Sequence, residues 1–278
     1  MRAWDLRPSE FEKNSRDVRK LRDCMEGVHG VSAVIHLAAC VSVPACDLDP
    51  AGSAETNVGG TRNLLEAIRS EQNRQDSILP MIFASSAAVY GNLAELPAQE
   101  STPRAPLGNY GAQKAAAEDL MKIYSSIYGI HGRALRFFNV YGVGQDPSSP
   151  YSGVISRFMG VLEKNETLEF HGSGRQTRDF VSVHDVVAGI VCAIEAQWSE
   201  NHFEVINLGS GVSCSILELA EQMAIVFGSQ KKPKLTPARA GDIQDSLADI
   251  RLAYERLGWK PHVGLKSGLE ELYLSCQV

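Results

Sequence analysis

Tyr110 and Lys114 stand four residues apart in the run NYGAQKAAAEDLMKIYSSIYG (109–129). On a helix, positions i and i+4 share a face. An ammonium beside a phenol favours the phenolate, so Tyr110 is a candidate general base and Lys114 the group that tunes it. Taken alone, such a pair is more often an ordinary exposed helix contact. A second feature lies upstream, in ASSAAVYG (84–91). A hydroxyl at the carboxyl end of a parallel strand faces the crevice where α/β proteins bind ligands. Ser86 can there hydrogen-bond a substrate hydroxyl, or simply satisfy its own backbone.

The elements around these residues predict an α/β fold. VSAVIHLAA (31–39), MIFASSAAVYG (81–91) and RALRFFNVYG (133–142) are short apolar runs, as buried parallel strands should be. Between the first two, ETNVGGTRNLLEAIRSEQ (55–72) places Val58, Leu64, Leu65 and Ile68 at helical spacing. The 109–129 run is rich in helix formers, and Gly129 or Gly132 ends it. Strand, helix, strand, helix of this length makes a βαβ series, hence a doubly wound parallel sheet. After Tyr141 come loop residues 142–153, a short helix in VISRFMGVLEKN, strand-like TLEFHG, and a strand and helix within 181–198. EVINLGS (204–210) reads as a strand, SILELAEQMAIVF (215–227) as a helix, and the Lys/Pro-rich 231–242 as a loop or edge strand.

Composition narrows the function. The chain has 278 residues, 44% hydrophobic and 22% charged, with a formal net charge of -6, so a basic nucleic-acid face and attraction to anionic membranes are both disfavoured. An anionic substrate then needs individually placed Arg or Lys. Cysteines 24, 40, 46, 192, 214 and 276 form no CxxC pair and read as reduced thiols of a cytoplasmic protein. The seven histidines include no HxxxH, so no metal site is expected. The N-terminal MRAWDLRPSEFEKNSRD has no apolar core, so no signal peptide is expected. No run of 18 apolar residues exists, so no membrane span is expected. His36 reads as a satisfied core residue. His184 reads as structural, with Asp185 capping the following helix, and Trp259 as packing.

These motifs together resemble the extended short-chain dehydrogenase/reductases, the NAD-dependent epimerase/dehydratase family, and within it the UDP-hexose 4-epimerases. The matching segments are HLAA (36–39), NVGGTRNLLEA (57–67), SSAAVYG, YGAQK, RFFNVYG (136–142), GSGRQTRDFVSVHDV (172–186), ARAGD (238–242) and LADI…LGWKP. The resemblance implies a Rossmann-like NAD-binding domain over 1–141 plus 179–210. It implies a smaller α/β nucleotide-sugar cap over 142–178 and 211–278. NAD would contact Asp5, Asp17, Val18, Leu37, Ala38, Ala39, Asn57, Tyr110 and Lys114. A UDP-sugar would contact Ser86, Asn139, Val154, Phe170, Arg178, Arg239, Asp242 and Ser246.

It further implies that Tyr110 takes the proton of the sugar's 4-hydroxyl while Ser86 holds that oxygen. Lys114 would bind the nicotinamide ribose and lower the Tyr110 pKa. Hydride leaves C4 and returns to the other face of a 4-keto sugar, with Arg178 and Arg239 gripping the diphosphate. Asp242 would orient Arg239 or a sugar hydroxyl. Dehydratases of the family carry acids after the serine position; Ala87 and Ala88 stand here. Ser246 resembles the gate beside the sugar's 2-substituent, and its small size predicts room for N-acetyl groups. Helices over 56–70 and 109–128 resemble a homodimer interface, the alternative being ordinary covering helices. A reductase or decarboxylase using the same Ser/Tyr/Lys set, and an inactive remnant, are the competing possibilities.

The family opens with a strand, a GxxGxxG loop and a helix, and no such loop occurs in these 278 residues. RAWDLRPS (2–9) resembles the family's second strand, and NSRDVRKL (14–21) the segment flanking adenine. The sheet is therefore expected to lack its first, central strand, from a mis-called start or a partial gene rather than a purposeful short form. On that basis residues 1–30 are expected to be loosely held and NAD affinity weak, which a stoichiometric NAD titration checks.

Overall fold

The computed structural model describes residues 15–145, 153–198, 202–231, 233–236 and 243–276. Up to the third strand the order is α1 (Leu21–Val28), β1 (Val34–His36), α2 (Val43–Leu48), α3 (Pro50–Ala54), a π-turn (Glu55–Gly59), α4 (Gly60–Gln75), β2 (Met81–Ser86), a 3-10 turn (Ala87–Val89), α5 (Asn109–Tyr128) and β3 (Gly132–Phe137). Then come β4 (Asn139–Tyr141), α6 (Val154–Glu163), β5 (Glu169–His171), β6 (Thr177–Ser182), α7 (Val183–Glu195), β7 (Phe203–Leu208), β8 (Ser213–Ser215), α8 (Ile216–Val226), β9 (Lys234–Thr236), α9 (Arg251–Leu257) and α10 (Leu265–Ser275).

The main sheet has the order β1-β2-β3-β7. β1 and β2 run parallel, with Val34, Ile35 and His36 opposite Met81, Ile82 and Phe83. A parallel pair needs a long crossover, and α4 is that crossover. Its Leu64, Leu65 and Ile68 are buried in one cluster with Met81, Phe83, Met121 and Ile130. Gly129 ends α5 in the left-handed region, at φ 67, and its N–H donates to Ser125 O. The strands are shorter than the apolar runs that announced them. The 133–142 run divides at Phe138, whose N–H goes to Leu208 O. Asn139–Tyr141 then pairs with Phe180–Ser182 in a separate three-stranded sheet, β4-β6-β8. β5 and β9 make a two-stranded ribbon.

The chain divides into two compact units. One comprises Met1–Val89, Pro106–Arg136 and Ala193–Ile206, the other Tyr90–Ala105, Phe137–Cys192 and Asn207–Val278. Sequence placed 137–141, 179–192 and 207–210 with the main sheet. All of those residues belong to the second unit, where β4 and β6 bond to each other and β6 to β8. The second unit has its own core of Ile155, Phe158, Phe180, Leu219, Met223 and Leu269 among others.

Residues 15–30 are packed, contrary to expectation. Cys24 and Val28 of α1 are buried, and Val18 O accepts from Asn63 Nδ2 on α4 at 3.0 Å. A Cβ on Gly60 would meet Val18 Cγ2 at 2.7 Å, so a glycine is needed for α4 to lie this close. α2 and α3, absent from the sequence expectations, follow from their caps. Ser42 Oγ accepts from Ala45 N, and Asp49 from Gly52 N, each cap preceding or adjoining a proline at N1 or N2. Among the described residues, no helix is long and apolar enough to cross a membrane, and no group of three or more His, Cys, Asp or Glu could hold a metal ion.

Candidate active site

The first unit brings Ser86, Tyr110 and Lys114 together at the end of β2 and the start of α5. α5 begins at Asn109, whose backbone N and Nδ2 donate to Asp47 Oδ1 at 3.2 and 2.8 Å. The next turn is pressed onto the residues after β2. A Cβ at Gly111 would stand 2.5 Å from Ala88 O and 3.0 Å from Pro106 Cβ, so no other residue permits that approach. Ser86 Oγ accepts from Ala88 N at 3.2 Å, which fixes the serine in the same turn. The Ser86 hydroxyl lies near the Tyr110 phenol and favours its charged form.

Lys114 is 2% exposed. Its Nζ donates to Ala84 O at 2.7 Å and lies over two rings, 4.7 Å from the Phe83 centroid and 5.8 Å from that of Tyr110. Burial pulls its pKa down to about 8, against the opposing influence of Cys46 and Glu118. Burial likewise pushes the Tyr110 phenol up, and the nearby Ser86 hydroxyl opposes this. The expected lowering of Tyr110 by Lys114 is therefore reversed in the free chain. The ammonium sits over the ring and on a carbonyl rather than against the hydroxyl, and desolvation disfavours the charged form of both groups.

Asn57 lies in the π-turn, a feature often found at functional sites. It is 2% exposed; Oδ1 accepts from Cys40 N at 2.8 Å, while Nδ2 donates to Cys40 O at 3.0 Å and Gln113 Oε1 at 2.7 Å. It thus ties the segment after β1 to α5. On that segment Leu37 and Ala38 are exposed and Ala39 is half-buried. An exposed apolar ledge, the free donors of Lys114 and the half-buried phenol fit the nicotinamide-ribose end of NAD. The two positions expected at adenine are otherwise engaged. The Asp17 carboxylate accepts from Arg19 Nε and Nη2, which holds its pKa below the usual range. The Val18 side chain is packed in the core. Asp5, Arg239 and Asp242 lie outside the described residues.

In the second unit, Asn139 on β4 pairs with Phe180, and Arg178 stands on the adjacent β6. Arg178 Nη1 donates to Thr177 O at 2.8 Å and Gln244 O at 3.3 Å. Val154 opens α6 and is half-buried, as is Ser246. Phe170, expected at the sugar nucleotide, is 4% exposed and its ring lies 6.4 Å from that of Phe158, so it is presented as core. Asp185 does not cap α7. It lies in the first turn and accepts from His262 N and Val263 N, both at 2.9 Å, while Trp259 Nε1 donates to its carbonyl. His184 pairs with Glu271 at 2.8 Å.

His36 is buried, and burial lowers its pKa to about 3. The Thr61 hydroxyl gives its proton to Asn57 O at 2.7 Å, so His36 Nε2, 3.1 Å away, must carry the proton it shares with Thr61 Oγ1. Sequence gave no signal for Glu118, one turn beyond Lys114. Glu118 is buried, accepts from Ser85 Oγ at 2.5 Å and pairs with Arg136 at 2.7 Å, anchoring α5 to β2 and β3. The Asn57–Gln113 link was also unannounced, although Gln113 stands beside Lys114 in the motif.

The model of the NAD dependent epimerase/dehydratase family matches residues 6–209. A UDP-glucose 4-epimerase of Mycolicibacterium smegmatis is 35% identical over 236 residues, 85% of this chain and 73% of that protein. A crystal structure of the Thermotoga maritima UDP-glucose 4-epimerase with UDP-glucose superimposes with a TM-score of 0.88 at 30% identity, covering 95% of this chain and 84% of that one. The UDP-N-acetylglucosamine 4-epimerase of Methanobrevibacter ruminantium, in complex with UDP-N-acetylmuramic acid, gives 0.87 at 31% identity, covering 97% and 85%. With the family model spanning most of the sequence and the serine, tyrosine and lysine gathered at one strand end, the chain belongs to the NAD-dependent epimerase/dehydratase family, as an isomerase fold built on NAD.

Proposed function

We propose that this chain interconverts the C4 epimers of a UDP-hexose, UDP-glucose with UDP-galactose, and accepts the N-acetylated pair as well. The observation that carries this is the gathering of Ser86 at the end of β2 and Tyr110 at the start of α5, with Lys114 buried and its ammonium 5.8 Å from the Tyr110 ring centroid. NAD, when bound, supplies the place where hydride is parked and recovered. Tyr110 takes the proton of the sugar's 4-hydroxyl and returns it, and Ser86 fixes that oxygen. Lys114, with one donor spent on Ala84 O, has two left for ribose hydroxyls. Leu37, Ala38 and Ala39 form the apolar ledge, and Asn57 holds it in place. Asn139, Arg178 and Arg239 hold the diphosphate, Asp242 orients Arg239, and Val154 lines the pocket. Ser246 leaves room at the 2-position.

Ala87 and Ala88 offer no acid to expel a 6-hydroxyl, which supports epimerisation over dehydration. The similar epimerases of known structure support the UDP-sugar class. Incubation with UDP-glucose should yield an isomer of equal mass without consuming added NAD. A product of lower mass, or stoichiometric NADH, would replace this reading with a dehydratase, decarboxylase or reductase. Activity on UDP-glucose with none on UDP-N-acetylglucosamine would remove the assignment of Ser246. Pairing of two chains through α4 and α5 is part of the same proposal: Ile123, Ile127 and Tyr128 are exposed on α5. Sedimentation of a monomer at micromolar concentration would remove it.

A further inference from the structure

Cys46 is fully buried in α2, and its Sγ lies 3.7 Å from Cys40 Sγ and 3.4 Å from Cys40 O. Cys40 is half-buried, within reach of a small oxidant. Among the described residues these are the two sulfurs that touch each other. Cys24, Cys214 and Cys276 each face a backbone carbonyl, of Val18, Ser215 and Leu272. A disulfide needs sulfurs about 2.0 Å apart. The pair must therefore close by about 1.7 Å, a side-chain rotation plus a small shift at the first turn of α2.

We propose that Cys40 and Cys46 are a modification site, forming a reversible intramolecular disulfide that switches the Tyr110 site off on oxidation. The coupling from the sulfurs to the site is mechanical. Asn57 grips both the N–H and the carbonyl of Cys40 and donates to Gln113, which sits on α5 between Tyr110 and Lys114 and itself donates to Ser53 Oγ at 2.9 Å. Pulling Cys40 towards α2 therefore pulls on the first turns of α5.

With a peroxide as oxidant the step balances. The Cys40 sulfur attacks one peroxide oxygen, the O–O bond breaks, and water leaves a sulfenic acid. Cys46 then attacks the Cys40 sulfur, its proton and the sulfenic hydroxyl leave as a second water, and the S–S bond forms. Two thiols have lost two electrons and two protons, and one peroxide has become two waters. Burial, with the hydrogen bond to Cys40, pushes the Cys46 thiol up to about 11, which leaves the more accessible, half-buried Cys40 the first role. A small dithiol reverses the reaction.

The proposal rests on the Tyr110 reading only for its effect on turnover. The full chain, reduced and then treated with hydrogen peroxide, is quenched with an alkylating agent under denaturing conditions. The tryptic peptide 23–62 contains Cys24, Cys40 and Cys46. The expected product is two hydrogens lighter than the reduced peptide and takes one alkyl group, on Cys24. Turnover falls at least tenfold and returns with dithiothreitol. Hydrogen exchange over 37–59 and 109–121 changes in the same samples. Cys40→Ser, with Cys46→Ala as the second variant in case one fails to fold, loses the linkage and keeps its turnover in peroxide. Three alkylatable thiols after treatment, or a Cys40 sulfinic acid beside a free Cys46, would overturn the proposal. So would a linkage that leaves both exchange and turnover unchanged. A reduced chain without epimerase activity refutes the proposed function instead, and the linkage and exchange data still decide this one.

Discussion

Gly111→Ala isolates the spacing between Tyr110 and Ser86 without touching either. The added Cβ would stand 2.5 Å from Ala88 O, 3.0 Å from Pro106 Cβ and 3.1 Å from Ala88 C. Ordinary carbon contacts begin near 3.5 Å, so something must give by about 1 Å. Two of the three obstacles are backbone atoms of the turn that holds Ser86, and the third is a proline ring, so no flexible side chain can absorb the strain. The first turn of α5 has to lift, carrying the phenol with it. Overpacking of this kind costs about 1–3 kcal/mol, and alanine's higher helix propensity returns up to about 1. A net loss of about 0–2 kcal/mol lowers the melting temperature by a few degrees and leaves the chain folded. A misplacement of about 1 Å between reacting groups costs roughly a hundredfold in rate. The expected outcome is kcat/KM down about a hundredfold with a melting temperature within about 8 °C of wild type. Turnover within twofold of wild type, in a folded variant, would refute the claim that the contact of α5 with the 86–88 turn sets the catalytic distance.

Tyr110→Phe should cost at least about a thousandfold in kcat while KM changes little, because the phenol acts in the proton transfer rather than in holding the diphosphate; progress curves at saturating UDP-glucose check this. In the free chain the Tyr110 phenol should titrate above the usual 10, measured as the ultraviolet difference between wild type and Tyr110→Phe; titration near 8 would contradict the burial effect. Lys114 has its folded pKa lowered to about 8, so its charging penalty is fully present below that value and relieved as pH rises towards 10.5. Lys114→Met should therefore be more stable than wild type at pH 7 by up to about 3 kcal/mol, less the lost Ala84 O bond, with the gain shrinking by pH 10 in urea melts. His36, lowered to about 3, favours the neutral fold, so stability should fall by up to about 1.4 kcal/mol per pH unit as pH drops below 6.5, a slope that His36→Gln removes in the same melts.

Local signals carried the elements, and tertiary ones did not. The spacing of Leu64, Leu65 and Ile68 found α4, and the consecutive apolar residues of 81–86 found β2, because each pattern is complete within a few turns of chain. The serine and tyrosine-lysine motifs marked the candidate site for the same reason. The break at Phe138 was hidden, since an unbroken apolar run does not say that its two halves bond to different sheets. The tuning of Tyr110 was misjudged because spacing reports proximity but not desolvation. Lys114 shares the face, as i+4 predicts, yet its ammonium is spent on Ala84 O and two rings. Glu118, Asn57 and Gln113 matter through partners 18, 17 and 56 positions away, distances at which a single sequence holds no pairing information.

Three basic side chains of the first unit are almost wholly buried, and their surroundings separate two kinds of role. Arg133 Nε meets Glu204 at 2.8 Å, and Nη1 serves the carbonyls of Ala193 and Ala196. Arg136 meets Glu118 at 2.7 and 2.9 Å. Each guanidinium has a carboxylate and several acceptors, so its charge is compensated where it lies, and removing the partner would strand a buried ion at about 3–5 kcal/mol. Lys114 has, among the described residues, a carbonyl and two ring faces but no carboxylate within ion-pair distance. A lysine so placed costs the free chain stability. Under the proposed function, ligand oxygens supply the missing compensation on binding, whereas Arg133 and Arg136 are compensated without a ligand. Arg136→Met should then lower stability strongly, Lys114→Met should raise it at neutral pH, and only the second should abolish turnover in a chain that remains fully folded. A Lys114→Met chain that unfolds at pH 7 would place all three in one structural class.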